Sequence, residues 1–175
     1  ELREDLLEGM DAQLRRLTPL LDSLTDLHGQ VLDPLELNRE PVALSEWLQQ
    51  TTSPWRQVAH DKGLHWQIVI PDSLPAVAID ADRMAQALGN LLSNAIKYTP
   101  DGTVSVKARV VDNGISIVVN DTGIGIATAE QERIFEPFYR SNRDRRFPQG
   151  MGLGLSIARD LVVAHGGRLT VDSPP

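Results

Sequence analysis

Leucine recurs every seven residues at the start of the chain, at Leu7, Leu14 and Leu21, with Met10, Leu17 and Leu24 three positions later. An a/d seam of about three heptads predicts a helix over 2–27 that packs in a bundle or coiled coil. Leu6, Leu20 and Leu27 widen the stripe, Arg3, Asp5, Glu8, Asp11, Arg15 and Arg16 fill the other faces, and Pro19 should kink it. Glycine and proline (Gly29, Asp33-Pro34, Glu40-Pro41) then break the pattern and predict a linker over 31–42. Leu44, Trp47, Leu48, Trp55 and Val58 restore helical spacing over about 44–61, with Pro54 expected to bend or restart that helix. The period falls to two from His65 to Ile70, a half-buried strand with Trp66, Ile68 and Ile70 on one face, and Ala76 to Ile79 is a short apolar strand. Asp80 caps a long helix over 81–98, which Thr99-Pro100-Asp101-Gly102 stops. Two β-rich runs, 103–111 and 115–120, flank Asp112-Asn113-Gly114, a hairpin signal. A short helix near 128–135, a loop over 140–151, a helix over about 152–165 and a last strand over 168–172 complete the pattern. The expected fold class is α+β: a two-layer sandwich of mixed sheet under helices, preceded by a long bundle-type helix.

Composition narrows the class of function. The chain has 175 residues, 41% hydrophobic and 23% charged, enough for one core and a small appendage and too apolar for gross disorder. No run approaches the roughly 18 apolar residues of a membrane helix, so no membrane contact is expected. A net charge of −7 argues against nucleic-acid binding. Cysteine is absent, which excludes disulfides and thiolate chemistry. A chain that opens on Glu1 rather than Met, with no targeting signal, is expected to be a piece of a longer protein.

The 81–98 helix carries the first candidate chemistry. Met84, Leu88, Leu91, Leu92 and Ala95 share one face, and Gln86, Asn90, Asn94 and Lys97 share the opposite one. Asparagine carbonyls can ligate Mg²⁺ without adding negative charge beside phosphates, and a lysine can neutralise them, although a solvated polar face has the same pattern. Asp121-Thr122-Gly123-Ile124-Gly125-Ile126 follows a β-run, where a carboxylate can accept from the exocyclic amine of adenine and glycines permit close approach. Gly150, Gly152 and Gly154, followed by Leu155, open a helix whose N-terminus suits an anion. Arg140, Arg143, Arg145 and Arg146 reverse the local charge, as a phosphate-facing lid would. Phe135-Glu136-Pro137-Phe138-Tyr139 reads as a hydrophobic plug that seats this lid, and the four histidines, without metal-ligand spacing, read as structural.

Together and in this order these strings resemble the sensor histidine kinases. Asn90 to Pro100 looks like their N box, Asp121 to Gly125 the G1 box, Phe135 to Tyr139 the F box and Gly150 to Leu155 the G2 box. The resemblance covers roughly residues 40–172 and implies the Bergerat-type ATP-binding fold over 43–175. Residues 1–30 then look like the second helix of the dimerisation and phosphoacceptor hairpin, and 31–42 its linker. By the same resemblance Asn94 would ligate Mg²⁺, Asn90 would support the metal–phosphate wall, and Lys97 would contact phosphate with Tyr98 beside the ribose or phosphates. Asp121 would read adenine, with Gly123, Gly125 and Ile126 around it. Gly150, Gly152, Gly154 and Leu155 would cradle phosphates. The implied reaction is transfer of the ATP γ-phosphoryl to a histidine and onward to a response regulator. Asn90 stands where ATP-hydrolysing relatives of the gyrase, MutL and Hsp90 types carry a glutamate base, and an amide cannot take a proton from water, which favours transfer over hydrolysis. No histidine here sits in a phosphoacceptor setting, so the chain is not expected to autophosphorylate alone. The implied partners are the phosphoacceptor hairpin and a receiver domain, with a homodimeric full-length protein in the cytoplasm or on the cytoplasmic side of a membrane anchor. A regulatory nucleotide-binding module of the same fold, without phosphoryl transfer, is the alternative, and a serine-kinase anti-sigma factor a further one.

Overall fold

A computed structural model describes residues 36–141 and 151–173. The helix predicted over 2–27, with Pro19, and also Arg143, Arg145, Arg146 and Gly150 lie outside the described residues. The chain divides into two compact units, Glu1–Glu36 and Leu37–Pro175, and every described element belongs to the second. That unit is built from β1 (Glu40–Val42), α1 (Leu44–Asp61), β2 (His65–Val69), β3 (Val77–Ile79), α2 (Ala81–Tyr98), β4 (Thr103–Val111), β5 (Gly114–Asp121), two 3-10 turns (Thr128–Glu130 and Arg133–Phe135) and α3 (Gly154–Ala164).

The larger sheet is mixed, in the order β2-β4-β5. His65 pairs with Thr103 in parallel register, and Val111 pairs with Gly114 across the antiparallel hairpin. Alternation along β4 aims Val104, Val106 and Ala108 at the helices, while Lys107 and Arg109 face solvent. Leu44 and Leu48 of α1 and Leu88 and Leu92 of α2 meet Val106 and Ala108 in the main core, with Leu74 and Ile79. A second cluster of Ala59, Leu64, Ala95, Ile96 and Val104 adjoins it, and Trp55 and Trp66 pack against both. The helices therefore lie over one face of the sheet, as the α+β sandwich requires.

Four sequence expectations change. The domain starts at Leu37 rather than 43, because Glu40–Val42 of the expected linker pairs antiparallel with Val77–Ile79. α1 runs unbroken through Pro54; Pro54 and Gln50, whose carbonyl loses its helical donor, are both exposed, so that carbonyl is open to solvent. The short helix near 128–135 resolves into two 3-10 turns, with Glu130 N–H bonded to Ala127 O and Glu136 N–H to Arg133 O, since so short a segment does not sustain an α-helix. Residues 168–172 keep their alternation, with Leu169 and Val171 half-buried, yet pair with no strand among the described residues. Alternation specifies burial, and a strand needs a ladder partner as well.

Candidate functional site

α2 carries the asparagine face as predicted. Its N-cap Asp80 accepts from Arg83 N–H at 3.0 Å, and Gln86, Asn90, Asn94 and Lys97 are all half-buried rather than solvated. α3 covers part of that face: the space for a Cβ on Gly154 lies 3.5 Å from Asn90 Cγ. The N-cap of α3, Leu153, offers no side-chain acceptor to the first-turn N–H groups. The structure thus brings Asn90 and Gly154, 64 positions apart, into contact at a helix N-terminus suited to an anion.

The end of α2 builds the second half of the site. Lys97 Nζ donates to Tyr98 Oη at 3.0 Å and lies 4.6 Å from that ring's centroid, so the cation rests on the phenol. Thr99, fully buried, donates to Ala95 O at 2.7 Å, with its Oγ1 also 3.5 Å from Asp121 Oδ1. Asp121, exposed at the end of β5, accepts from Gly123 N–H at 2.8 Å through the same Oδ1. Ile124 N–H donates to Tyr98 O at 3.2 Å and ties the glycine loop to α2. Lys62, whose ammonium burial holds below the usual lysine range, donates to the carbonyls of Ile96 and Lys97. A cation at this C-terminus complements the helix dipole.

The glycines also meet packing and backbone constraints that their spacing did not show. A Cβ on Gly123 would collide with the Tyr98 carbonyl and stand 2.8 Å from Asp121 Oδ1, so the backbone itself excludes a side chain there. Gly125 is left-handed at φ 66. Gly152 does not open the helix: it precedes it at φ 77, where a Cβ would lie 2.6 Å from Tyr139 O, and its carbonyl accepts from Phe138 N–H at 3.0 Å. Leu155 lies in the first turn of α3.

The aromatic plug is only half a plug. Phe135 is 8% exposed but Phe138 is 62% exposed and sits at φ 64, a left-handed conformation unusual for a bulky residue. The hydroxyl of Tyr139 donates to Glu130 at 3.0 Å, and Arg133 covers its ring at 4.5 Å. Burial, with that carboxylate beside it, pushes the Tyr139 phenol above its ordinary range. Arg140 is exposed next to it.

Sequence reading gave Lys62, Gln131 and Ser173 no place at the site and read Thr99 only as part of a helix stop. Thr99 had one local signal: a residue before proline is forced out of the helix, and Thr99 is extended at φ −101. Gln131 and Ser173, which meet across 42 positions, had none. Among the described residues no three His, Cys, Asp or Glu side chains could hold a metal, and no helix is long and apolar enough to cross a membrane.

Residues 79–175 match the family described as Histidine kinase-, DNA gyrase B-, and HSP90-like ATPase. The chain is 34% identical over 178 residues to the adaptive-response sensory kinase SasA of Rippkaea orientalis, an alignment that takes in 100% of the chain and 45% of that protein. It spans about half the length of the relatives it matches. The full-length ShkA structure in complex with AMPPNP superposes at a TM-score of 0.85 with 28% identity, over 99% of this chain and 37% of that one. The mycobacterial sensor histidine kinase MprB superposes at 0.65 with 33% identity, over 77% and 85%.

Proposed function

The chain belongs to the histidine kinase-, DNA gyrase B- and HSP90-like ATPase family, and from that premise we propose that it is the ATP-binding catalytic part of a two-component sensor kinase. In this reading it holds Mg-ATP and positions the γ-phosphoryl for attack by a histidine nitrogen outside these 175 residues. One observation carries it: α2 joins the parts of the site, with Asn90 against Gly154 and Tyr98 O holding the loop that follows Asp121.

Each residue has a role under this reading. Asp121 accepts from the adenine amine through Oδ2, since Gly123 N–H occupies Oδ1. Gly125 and Ile126 continue the loop along the base. Lys97 and Tyr98 offer the phosphates a cation and a hydroxyl, and Gly150, Gly152, Gly154 and Leu155 bring backbone N–H groups to them. Asn94 supplies an amide oxygen to Mg²⁺ and Asn90 supports it. The donor set fits that ion, because Mg²⁺ is usually held by one or two protein oxygens with phosphates and water completing the octahedron. The bound ion neutralises charge on the transferring group; the protein's own work is positioning and electrostatic stabilisation. With an amide at Asn90 no side chain there activates water. The phosphoacceptor hairpin, a receiver domain, a dimeric full-length protein and a cytoplasmic location belong to the same proposal. SasA and MprB, named as kinases, support it.

Calorimetry with a non-hydrolysable ATP analogue tests the site. In Asp121→Asn the carbonyl oxygen keeps the Gly123 bond, so the amide nitrogen meets the adenine amine, donor against donor. A charge-assisted bond is lost, and affinity should fall about tenfold to a hundredfold. Parent-like affinity would refute the adenine assignment.

A further inference from the structure

Both backbone groups of Ile126 are held by side chains outside its loop, one at the end of the following 3-10 turn and one 47 positions away. Its N–H donates to Ser173 Oγ at 2.9 Å, and its carbonyl accepts from Gln131 Nε2 at 3.2 Å. The same Gln131 nitrogen donates to Ser173 O at 2.8 Å. A primary amide has two hydrogens, and this geometry uses one on each carbonyl. Gln131, Ser173 and Ile126 therefore close a three-membered ring of hydrogen bonds, all half-buried.

We propose that Gln131 and Ser173 are positioning residues for the nucleotide base: they clasp Ile126 and so fix the loop between Asp121 and the first 3-10 turn at the height a purine needs. The inference rests on the nucleotide reading above. The other anchors of the loop lie at its start, where Thr122 exchanges bonds with Thr103, Gly123 N–H donates to Asp121 and Ile124 N–H to Tyr98. Beyond them Ile124 is exposed and Gly125 left-handed, and the clasp takes hold at Ile126. Glycine-rich backbone that is not held loses more conformational freedom when a ligand orders it. The clasp orders the loop in advance, so its removal should act on binding. Neither Gln131 nor Ser173 is assigned a contact with phosphate, so the loss should be the same for any ligand that carries the base.

The test uses the full 175-residue chain, with calorimetric affinities for adenosine and for the non-hydrolysable ATP analogue, alongside thermal melts. Gln131→Ala removes two bonds and should raise both dissociation constants by about tenfold, by the same factor for each ligand. Ser173→Ala removes the hydroxyl bond and should raise both by a smaller factor. Ser173→Thr keeps the hydroxyl and should bind like the parent. A parent that binds with Gln131→Ala and Ser173→Ala unchanged in affinity overturns the clasp while leaving the nucleotide reading intact. A lowered melting temperature with unchanged affinity does the same, because it marks a role in stability alone. A parent that binds neither ligand overturns the nucleotide reading and the clasp with it.

Discussion

Gly123 and Gly154 look alike in the sequence, each a glycine in a short glycine-rich string, yet they answer to different constraints. At Gly123 a methyl group would strike the Tyr98 carbonyl, which is rigid backbone at the end of α2. At Gly154 the same methyl would lie 3.5 Å from Asn90 Cγ, an ordinary contact, with no unusual backbone angle. Gly123→Ala should therefore cost about 1–3 kcal/mol of folding stability, measured by denaturant unfolding, because packed backbone must move. Gly154→Ala should leave stability unchanged or raise it by up to about 1 kcal/mol, since alanine is the better helix residue. Only its nucleotide affinity should fall, because in the proposed reading a methyl would stand where the phosphates approach. If Gly154→Ala binds the ATP analogue like the parent, the phosphates do not lie at this helix end. The motif reading could name both glycines but not separate them, because spacing shows where a side chain is missing and not what would have met it.

At the scale of elements, Asp80 holds three segments together. Its Oδ1 caps α2 through Arg83 N–H, its Oδ2 accepts from Asn38 N–H at 3.0 Å just before β1, and its own N–H donates to His165 Nε2 at 3.0 Å beyond α3. Because that imidazole nitrogen accepts, Nδ1 carries the proton and faces Leu161 O at 2.7 Å. Arg39 adds a bond to the Ala164 carbonyl. Burial alone would raise the Asp80 carboxyl, but the Arg83 and Asn38 amides, with the charge of Arg83, outweigh it and hold the group below its ordinary value. A carboxylate depressed on folding stabilises above its unfolded value of about 3.9, and that contribution is lost as pH falls through the lower folded value. Asp80→Ala should cost about 1 kcal/mol at pH 7, as a lost cap does. Asp80→Asn keeps an acceptor but no charge, so its deficit against the parent in thermal melts should be present at pH 7 and shrink below about pH 4. A deficit that does not change between pH 7 and pH 3 would remove the electrostatic part of this account. The cap was legible, since an aspartate before a periodic apolar run is a local signal. The bonds to Asn38 and His165 span 42 and 85 positions and leave no trace in periodicity.

Across the whole molecule the legible parts are those written within a dozen residues. The helix of 81–98 and the 103–121 hairpin form where the pattern put them, because each rests on its own spacing and turn residues. The unpaired 168–172 segment and the strand inside the expected linker were misread because strand formation depends on a distant partner. The candidate site divides in the same way: Asn90, Asn94, Asp121 and Gly154 were visible as types, while the Asn90–Gly154 contact, the tie of the glycine loop to Tyr98 O and the half-burial of the asparagine face required the fold. Charge also acts at this scale. A chain of net charge −7 repels a polyphosphate, and α2 offers it amides and one lysine rather than a field of cations. In the proposed reading a divalent ion would offset both the ligand's charge and the protein's. Chelating Mg²⁺ should weaken binding of the ATP analogue far more than binding of adenosine, and most at low ionic strength, where screening is least. Asn94→Ala should make the ATP analogue insensitive to Mg²⁺ while adenosine binds as before. When a separate histidine-bearing hairpin domain is added with Mg-ATP, the same substitution should slow its phosphorylation by at least about a hundredfold. Equal Mg²⁺ dependence in parent and variant would move the metal away from Asn94. Phosphorylation at the parent rate would take this residue out of the transfer step.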